Sequence, residues 1–314
     1  MPVLDTPGAS YNVGYLLDRT FDLLLGSERE QMNQLGTAIE ATATTLSLRY
    51  ALGTLQRGTY IAVDTEVMYV WNAVTSAGGN TQATVQRGMK GTTAASHSEG
   101  AVVYINPYFT RYQVRQTLQD EIRSWAPQVF AVKTADLTAT DFVRGYDMGD
   151  LGAWLFVIDV LVSPDTLLGT PSDKNWRSVD YRIDRSADTT TFPSGSALTV
   201  TSPLGIFNTP RTIHVVYGAP IDVDSTFTDG DTLLAMGMDS SDLDIAPYGA
   251  AWRLAASREV RRMLTEAQGN DADLQNFPPG YMVKAAQEFK MLRDSRLADA
   301  VARLRAQYPV RRAA

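Results

Sequence analysis

Apolar and polar positions first follow a helical period. From Val13 to Leu35, the residues Leu16, Leu17, Phe21, Leu24 and Met32 recur at mixed three- and four-residue spacings with charges between them, which predicts a helix. Gly26 interrupts that run, so it reads as one kinked helix or two short ones. From Thr37 the period shortens. Ala41 to Leu48, Tyr60 to Val63, the alternating Glu66 to Trp71, and Ala83 to Gln86 read as strands. Gly58, Asp64-Thr65 and Ala77-Gly78-Gly79-Asn80 separate them as turns. Short strands at this spacing suit a small barrel or sandwich.

After Asn106-Pro107 the four-residue spacing of Val114, Leu118 and Ile122 predicts a second helix from Thr110 to Trp125, closed by Pro127. Phe130 to Ala246 is strand-like again, with Trp154 to Val162, Ser178 to Ile183, Ala197 to Thr201 and Thr212 to Tyr217 as its strands and Asp229-Gly230 as a hairpin-turn signal. Many strands with no helical period between them point to an antiparallel sandwich. The last stretch is helical. Pro247 opens a helix with Trp252, Ala256, Val260, Met263 and Leu264 on one face, ending at Gly269-Asn270. Pro278-Pro279 opens another, with Met282, Ala286, Phe289, Leu292, Ala300, Val301 and Leu304 on its apolar side, ending before Pro309.

The predicted fold class is therefore α+β: a bundle of about four helices with two all-β insertions, a small β barrel and a larger β sandwich. The expected divisions are 1–36 (first bundle helix), 37–107 (barrel), 108–130 (second helix), 131–246 (sandwich) and 247–314 (C-terminal helices). Short amphipathic helices cannot bury their stripes alone, which is why one bundle interrupted twice is preferred to separate helical pieces.

Composition narrows the chemistry. The chain has no cysteine and only two histidines, His97 and His214, which removes disulfides, thiolate metal sites and cysteine nucleophiles. No segment approaches a membrane span, and the N-terminal residues lack the basic and apolar regions of a secretory signal. The charge is −7 overall but uneven: residues 251–314 hold twelve Lys/Arg and seven Asp/Glu, leaving an acidic body and a basic tail. That polarity suits a solvated helix, and it also suits a subunit stacking basic end to acidic end on another protein.

Motif searches leave no catalytic, cofactor-binding or metal-binding residue to assign. The Asp222 to Asp231 run lacks the glycine and closing glutamate of a calcium loop and reads as exposed turn carboxylates. Gly88-Met89-Lys90-Gly91-Thr92 lacks the Gly-Lys-Ser/Thr order of a phosphate loop. His97, in a turn-forming segment, is expected to satisfy a backbone hydrogen bond, and His214, in an apolar strand, to be a packing residue. Asp64 and Glu66 are a carboxylate pair of the kind that hydrolyses glycosides, one pair among many acids.

One segment is distinctive: Ile61-Ala-Val-Asp64-Thr-Glu66-Val-Met68-Tyr-Val70, then Ala83-Thr-Val-Gln-Arg87-Gly88-Met-Lys-Gly91-Thr92-Thr93-Ala-Ala-Ser-His97-Ser-Glu-Gly100-Ala-Val-Val103. It resembles a pattern recurrent in structural proteins of tailed bacteriophages, a hairpin feeding a glycine-pinned loop that returns as a strand. The loop residues that carry the resemblance are Arg87, Gly88, Gly91, Thr92, His97 and Gly100. Together with the leading segment from Tyr15 to Leu25, this module is similar to neck and head-to-tail connector (adaptor) proteins of those phages. The large β block is a departure from that family, whose members are usually shorter.

The resemblance implies a non-enzymatic virion protein without cofactors, forming a homo-oligomeric ring of about twelve copies between portal and tail. Its implied partners are itself, the portal, tail or stopper proteins and packaged DNA in the channel, with no membrane contact; its implied location is the virion neck or tail, and the host cytoplasm during assembly. Arg293, Arg296, Arg303 and Arg305 are the expected contacts with the portal or a neighbouring subunit. The alternative is a baseplate, tail or collar protein whose sandwich binds a receptor or carbohydrate through Trp176, Tyr181 and Tyr248.

Overall fold

A computed structural model describes residues 11–26, 30–53, 55–75, 79–139, 145–162, 176–200, 211–223, 227–267 and 281–309. The chain is an α+β protein with four helices and thirteen strands among the described residues. It divides into two interleaved units, one of residues 14–121 and 246–291, the other of 1–13, 122–245 and 292–314.

The first unit contains a six-stranded sheet. Its strands are β1 (Gln31–Gln34), β2 (Thr45–Leu48), β3 (Tyr60–Val63), β4 (Glu66–Thr75), β5 (Thr81–Gln86) and β6 (Val102–Ile105), in the order β1-β6-β3-β4-β5-β2, with antiparallel pairing throughout. The sheet curls until its edges touch, where Leu35 bridges to Leu48 and Arg49 N–H donates to Gln34 O at 2.9 Å. Alternation drives the curl: Leu46, Leu48, Ile61, Met68, Val85 and Val103 all point inward and are almost fully buried. Each such side chain contributes about 1.5–3 kcal/mol of burial.

Three helices accompany this sheet. In α1 (Val13–Leu25) the buried stripe is Leu16, Leu17, Thr20 and Leu24; in α2 (Arg111–Arg123) it includes Val114 and Leu118. In α3 (Ile245–Ala267) the buried residues include Ile245, Ala246, Gly249, Ala250, Ala251, Leu254 and Ala255. That differs from the expected face, since Trp252 and Ala256 are only half-buried. Close approach explains it: a Cβ on Gly249 would stand 2.3 Å from the Glu121 Cδ, so α2 and α3 meet through the smallest residues of α3. The side chains of Val260, Met263 and Leu264, and the predicted stop at Gly269-Asn270, lie outside the described residues.

The first predicted helix is also shorter than expected. It ends at Leu25, where Gly26 takes φ +58° and donates to Asp22 O at 3.0 Å, a left-handed stop that glycine adopts without strain. Residues Gln31–Gln34 are a strand, not a continuation of the helix.

The second unit contains two sheets. Strands β7 (Ala131–Ala139), β9 (Phe156–Val162), β10 (Arg177–Ser178) and β13 (Arg211–Ala219) run in the order β10-β9-β13-β7; β8 (Gly145–Asp147), β11 (Tyr181–Asp184) and β12 (Ala197–Val200) run as β11-β12-β8. Leu137, Val160, Ile213 and Val215 from the first share one core with Tyr146, Tyr181, Leu198 and Val200 from the second. The C-terminal helix α4 (Tyr281–Gln307) buries Ala286, Ala300 and Leu304 but leaves Leu292 46% exposed, against expectation. The Pro278-Pro279 start lies outside the described residues.

Candidate functional site

The residues that carry the distinctive motif converge on Glu66. Val63 pairs with Glu66 across the two-residue turn joining β3 to β4, and Asp64 in that turn takes φ +50°, a left-handed conformation that Asp tolerates better than most side chains. The alternation of β4 points Glu66 inward with Met68 and Val70, and its side chain has no solvent exposure. A carboxylate in that position is costly unless each oxygen is satisfied.

Five donors satisfy it. Oε1 accepts from Arg87 Nε at 2.7 Å and from Gly88 N–H at 3.0 Å. Oε2 faces Arg87 Nη2 at 2.7 Å, Ala95 N–H at 3.0 Å and His97 Nε2 at 2.9 Å. Burial alone would raise the Glu66 carboxyl, but the hydrogen bonds from Arg87, His97, Ala95 and Gly88 outweigh it and hold the group down at about 2. Arg87 reaches further still: Nη1 donates to the carbonyls of Glu40 and Ala43 at 2.8 and 3.0 Å, and Nη2 also donates to Ala95 O. One guanidinium therefore ties β4, the segment before β2, and the return loop together.

The rest of the motif shapes that loop. Gly88 adopts φ +63°, and a Cβ there would press to 3.1 Å from Thr92 O while its own N–H must stay on Glu66. Thr92 Oγ1 accepts from Val67 N–H at 3.1 Å and donates to Met89 O at 2.8 Å. Gly91 and Gly100 take φ +82°, and Gly100 N–H donates to Leu35 O at 2.9 Å.

His97 corrects an expectation. Its ring meets no backbone carbonyl; Nδ1 lies 2.8 Å from Asp64 Oδ2 and Nε2 lies 2.9 Å from Glu66 Oε2. A neutral ring donates to only one of these carboxylates at a time, and the imidazolium donates to both. Asp64 is 65% exposed at the rim and borders a cavity of about 250 Å³ walled by Phe21 and Phe109, with Asp18 and Asp22 beside it. Among the described residues no group of three metal-ligating side chains converges to hold an ion. As chemistry, the arrangement holds charges in place. Glu66 has no route to a substrate, so the Asp64/Glu66 pair is not disposed as two hydrolytic carboxylates around a scissile bond.

The remaining sequence candidates are dispersed. His214 is not a core residue: its side chain is 28% exposed, Nδ1 lies 2.6 Å from Asp136 Oδ1, and its ring centroid lies 5.4 Å from that of Trp176. Tyr181 is buried, its hydroxyl donating to Val157 O at 3.1 Å, whereas Trp176 and Tyr248 are half-buried. Arg293 pairs with Asp294 at 2.8 Å and Arg303 with Asp242 at 2.7 Å, while Arg296 and Arg305 are exposed. Burial pushes the Asp242 carboxyl up, which Arg303 opposes. Sequence reasoning missed Glu66 as the hub, although an acid sharing a strand face with Met68 and Val70 is itself the signal of a buried partner.

A scan against protein-family models finds no match, and no curated protein matches the chain.

Proposed function

We propose that this chain is a structural protein of a tailed-phage virion, a ring-forming subunit at the neck that joins the portal to the tail. The observation that carries the reading is the use of the motif. The loop residues Arg87, Gly88, Gly91, Thr92, His97 and Gly100, which carry much of the resemblance to phage structural proteins, belong to one buried clasp around Glu66 or to the loop it pins, an arrangement suited to rigidity. A component that transmits load between head and tail needs such a rigid module.

In this reading the helices form one bundle that carries the curled sheet and a β sandwich as insertions, and bundle faces repeat around a cyclic ring of about twelve copies. Arg296 and Arg305, exposed on α4, are the arginines best disposed to meet the portal or a neighbouring subunit; Arg293 and Arg303 already have intramolecular partners. Tail or stopper proteins would meet another face, and packaged DNA would pass through the channel. No described helix is long and apolar enough to cross a membrane.

Mass photometry and negative-stain microscopy of the purified chain, alone and mixed with the portal of the same virion, test the proposal. Rings with a central hole, or stoichiometric assembly on the portal, are expected. A stable monomer or small trimer that ignores the portal overturns it.

A further inference from the structure

The outer face of the curled sheet between β2 and β4 carries uncharged polar side chains. Inward residues alternate with Thr45 and Ser47 on β2 and with Gln82, Thr84 and Gln86 on β5, all at outward positions. Register sets Thr45 opposite Thr84, Thr84 opposite Asn72, and Gln86 opposite Tyr69. None of these side chains is charged, in a chain with 35 acidic and 28 basic residues. Exposed sheet faces and edges ordinarily carry charges that keep other surfaces away.

An aromatic ladder borders this polar field. Tyr60 lies opposite Tyr69, with ring centroids 5.5 Å apart at 67°, and Tyr69 meets Trp71 at 5.1 Å and 79°. The register shifts between Val70 and Asn72, and this bulge leaves Trp71 45% exposed. Bulges re-aim side chains and recur beside functional sites. Cations mark both ends of the ladder: Lys90 Nζ is 4.0 Å from the Tyr60 centroid and Arg57 Cζ is 4.9 Å from that of Trp71.

The composition selects among occupants. A nucleic acid requires a series of cations to neutralise successive phosphates and ring faces on which successive bases stack. Here the two cations each lie over a ring, and the rings stand edge to face. A protein partner requires a desolvated apolar centre, and the outward row offers Val74 as its aliphatic side chain. A sugar chain brings C–H faces that pack on aromatic rings and hydroxyls that pair with amides and hydroxyls in both directions. We propose that this face is a polysaccharide-binding site, with Trp71, exposed at the bulge, as the single stacking ring and Asn72, Thr84 and Gln86 reading hydroxyl groups. The inference stands apart from the neck reading, and neither depends on the other.

The test is binding of the full chain to an array of plant, fungal and bacterial polysaccharides, followed by affinity electrophoresis in gels cast with the best of them and, in parallel, with poly(dT). Retardation by at least one polysaccharide is expected, weakened about tenfold or more by Trp71→Ala, and several-fold by Asn72→Ala or Gln86→Ala. Thermal unfolding of the exposed-site variant Trp71→Ala should match the parent, which separates lost binding from lost folding. Absence of binding across the array overturns the proposal, as does polysaccharide binding that Trp71→Ala leaves intact. Retardation by poly(dT) alone that disappears in Trp71→Ala would reassign the face to nucleic acid. Self-association abolished by that substitution, with no glycan bound, would reassign it to a subunit interface.

Discussion

Arg87 and Glu66 meet through two parallel contacts, Nε to Oε1 and Nη2 to Oε2, both 2.7 Å long, with the Arg87 side chain 7% exposed and the Glu66 side chain not exposed at all. Burying an ion pair gains little net stability, but removing one member strands the other. Arg87→Ala is therefore expected to destabilise the first unit by about 3–5 kcal/mol in urea unfolding. Arg87→Lys should recover only part of this loss, because an ammonium cannot make the parallel contacts. The double variant Glu66→Met/Arg87→Met should be less damaging than the two single losses added together.

The acid limb of the stability curve follows from the same group. Glu66 titrates near 4.5 when unfolded and is held at about 2 when folded, so the folded chain binds fewer protons over that interval. Its contribution is complete above about pH 4.5, declines as the pH falls, and is gone by about pH 2. The magnitude is on the order of 3 kcal/mol. Urea midpoints measured across this range should fall steeply for the parent, and less steeply for Glu66→Gln, which will be weaker at neutral pH.

Asp64 shares His97 with Glu66 but stands mostly in solvent. Exposed ion pairs contribute about 0–1 kcal/mol. Asp64→Asn, which keeps a residue tolerant of φ +50°, should therefore change stability by less than about 1 kcal/mol. Asp64→Val, a β-branched residue forced into the same backbone, should cost more, by about 1–3 kcal/mol. A difference between these two variants in thermal melts reports the turn and not the charge.

Gly249 permits the close approach of α3 to Glu121, whose side chain is buried and receives Arg253 Nε at 2.9 Å. Gly249→Ala places a methyl 2.3 Å from the Glu121 Cδ, and overpacking of this kind costs about 1–3 kcal/mol. Glu121→Gln in the same background should not restore stability, because the clash is with the side-chain carbon. Calorimetry of the single and double variants checks this.

Strands and helices with regular periods were legible in the sequence. Val114, Leu118 and Ile122 do mark a helix, and the Tyr60–Val63 and Glu66 segments do form an antiparallel hairpin. Strand β1 was hidden because its pattern is inverted: Met32 points out, 58% exposed, while Asn33 points in and pairs with Tyr50 through its Nδ2 and Oδ1. An amide with that many backbone partners behaves as a core residue, yet no hydrophobicity scale counts it as one. The apolar face of α3 differs for a related reason, since large Trp252 outweighs alanines such as Ala246, Ala250, Ala251 and Ala255 in a periodicity count while close packing selects the small ones. The clasp was half legible. Its residues stood out as a motif, but the wiring joins positions 40, 43, 66, 87, 95 and 97, and only the fold brings those together.

The interleaving of the two units has a consequence for synthesis. Glu121 belongs to a helix made early, and Arg253, which pairs with it, is added 132 residues later. At about 5–20 residues per second, the ribosome needs roughly ten seconds to supply that partner. Throughout that delay Glu121, fully buried in the finished chain, is without its Arg253 contact and the cover of Gly249 on α3, which discourages α2 from settling into any compact arrangement that lacks α3. The curled sheet, whose clasp closes within residues 40–97, is free to form first. Maturation then waits on the last quarter of the chain, so a truncated product is expected to present a finished sheet beside helices that have not docked.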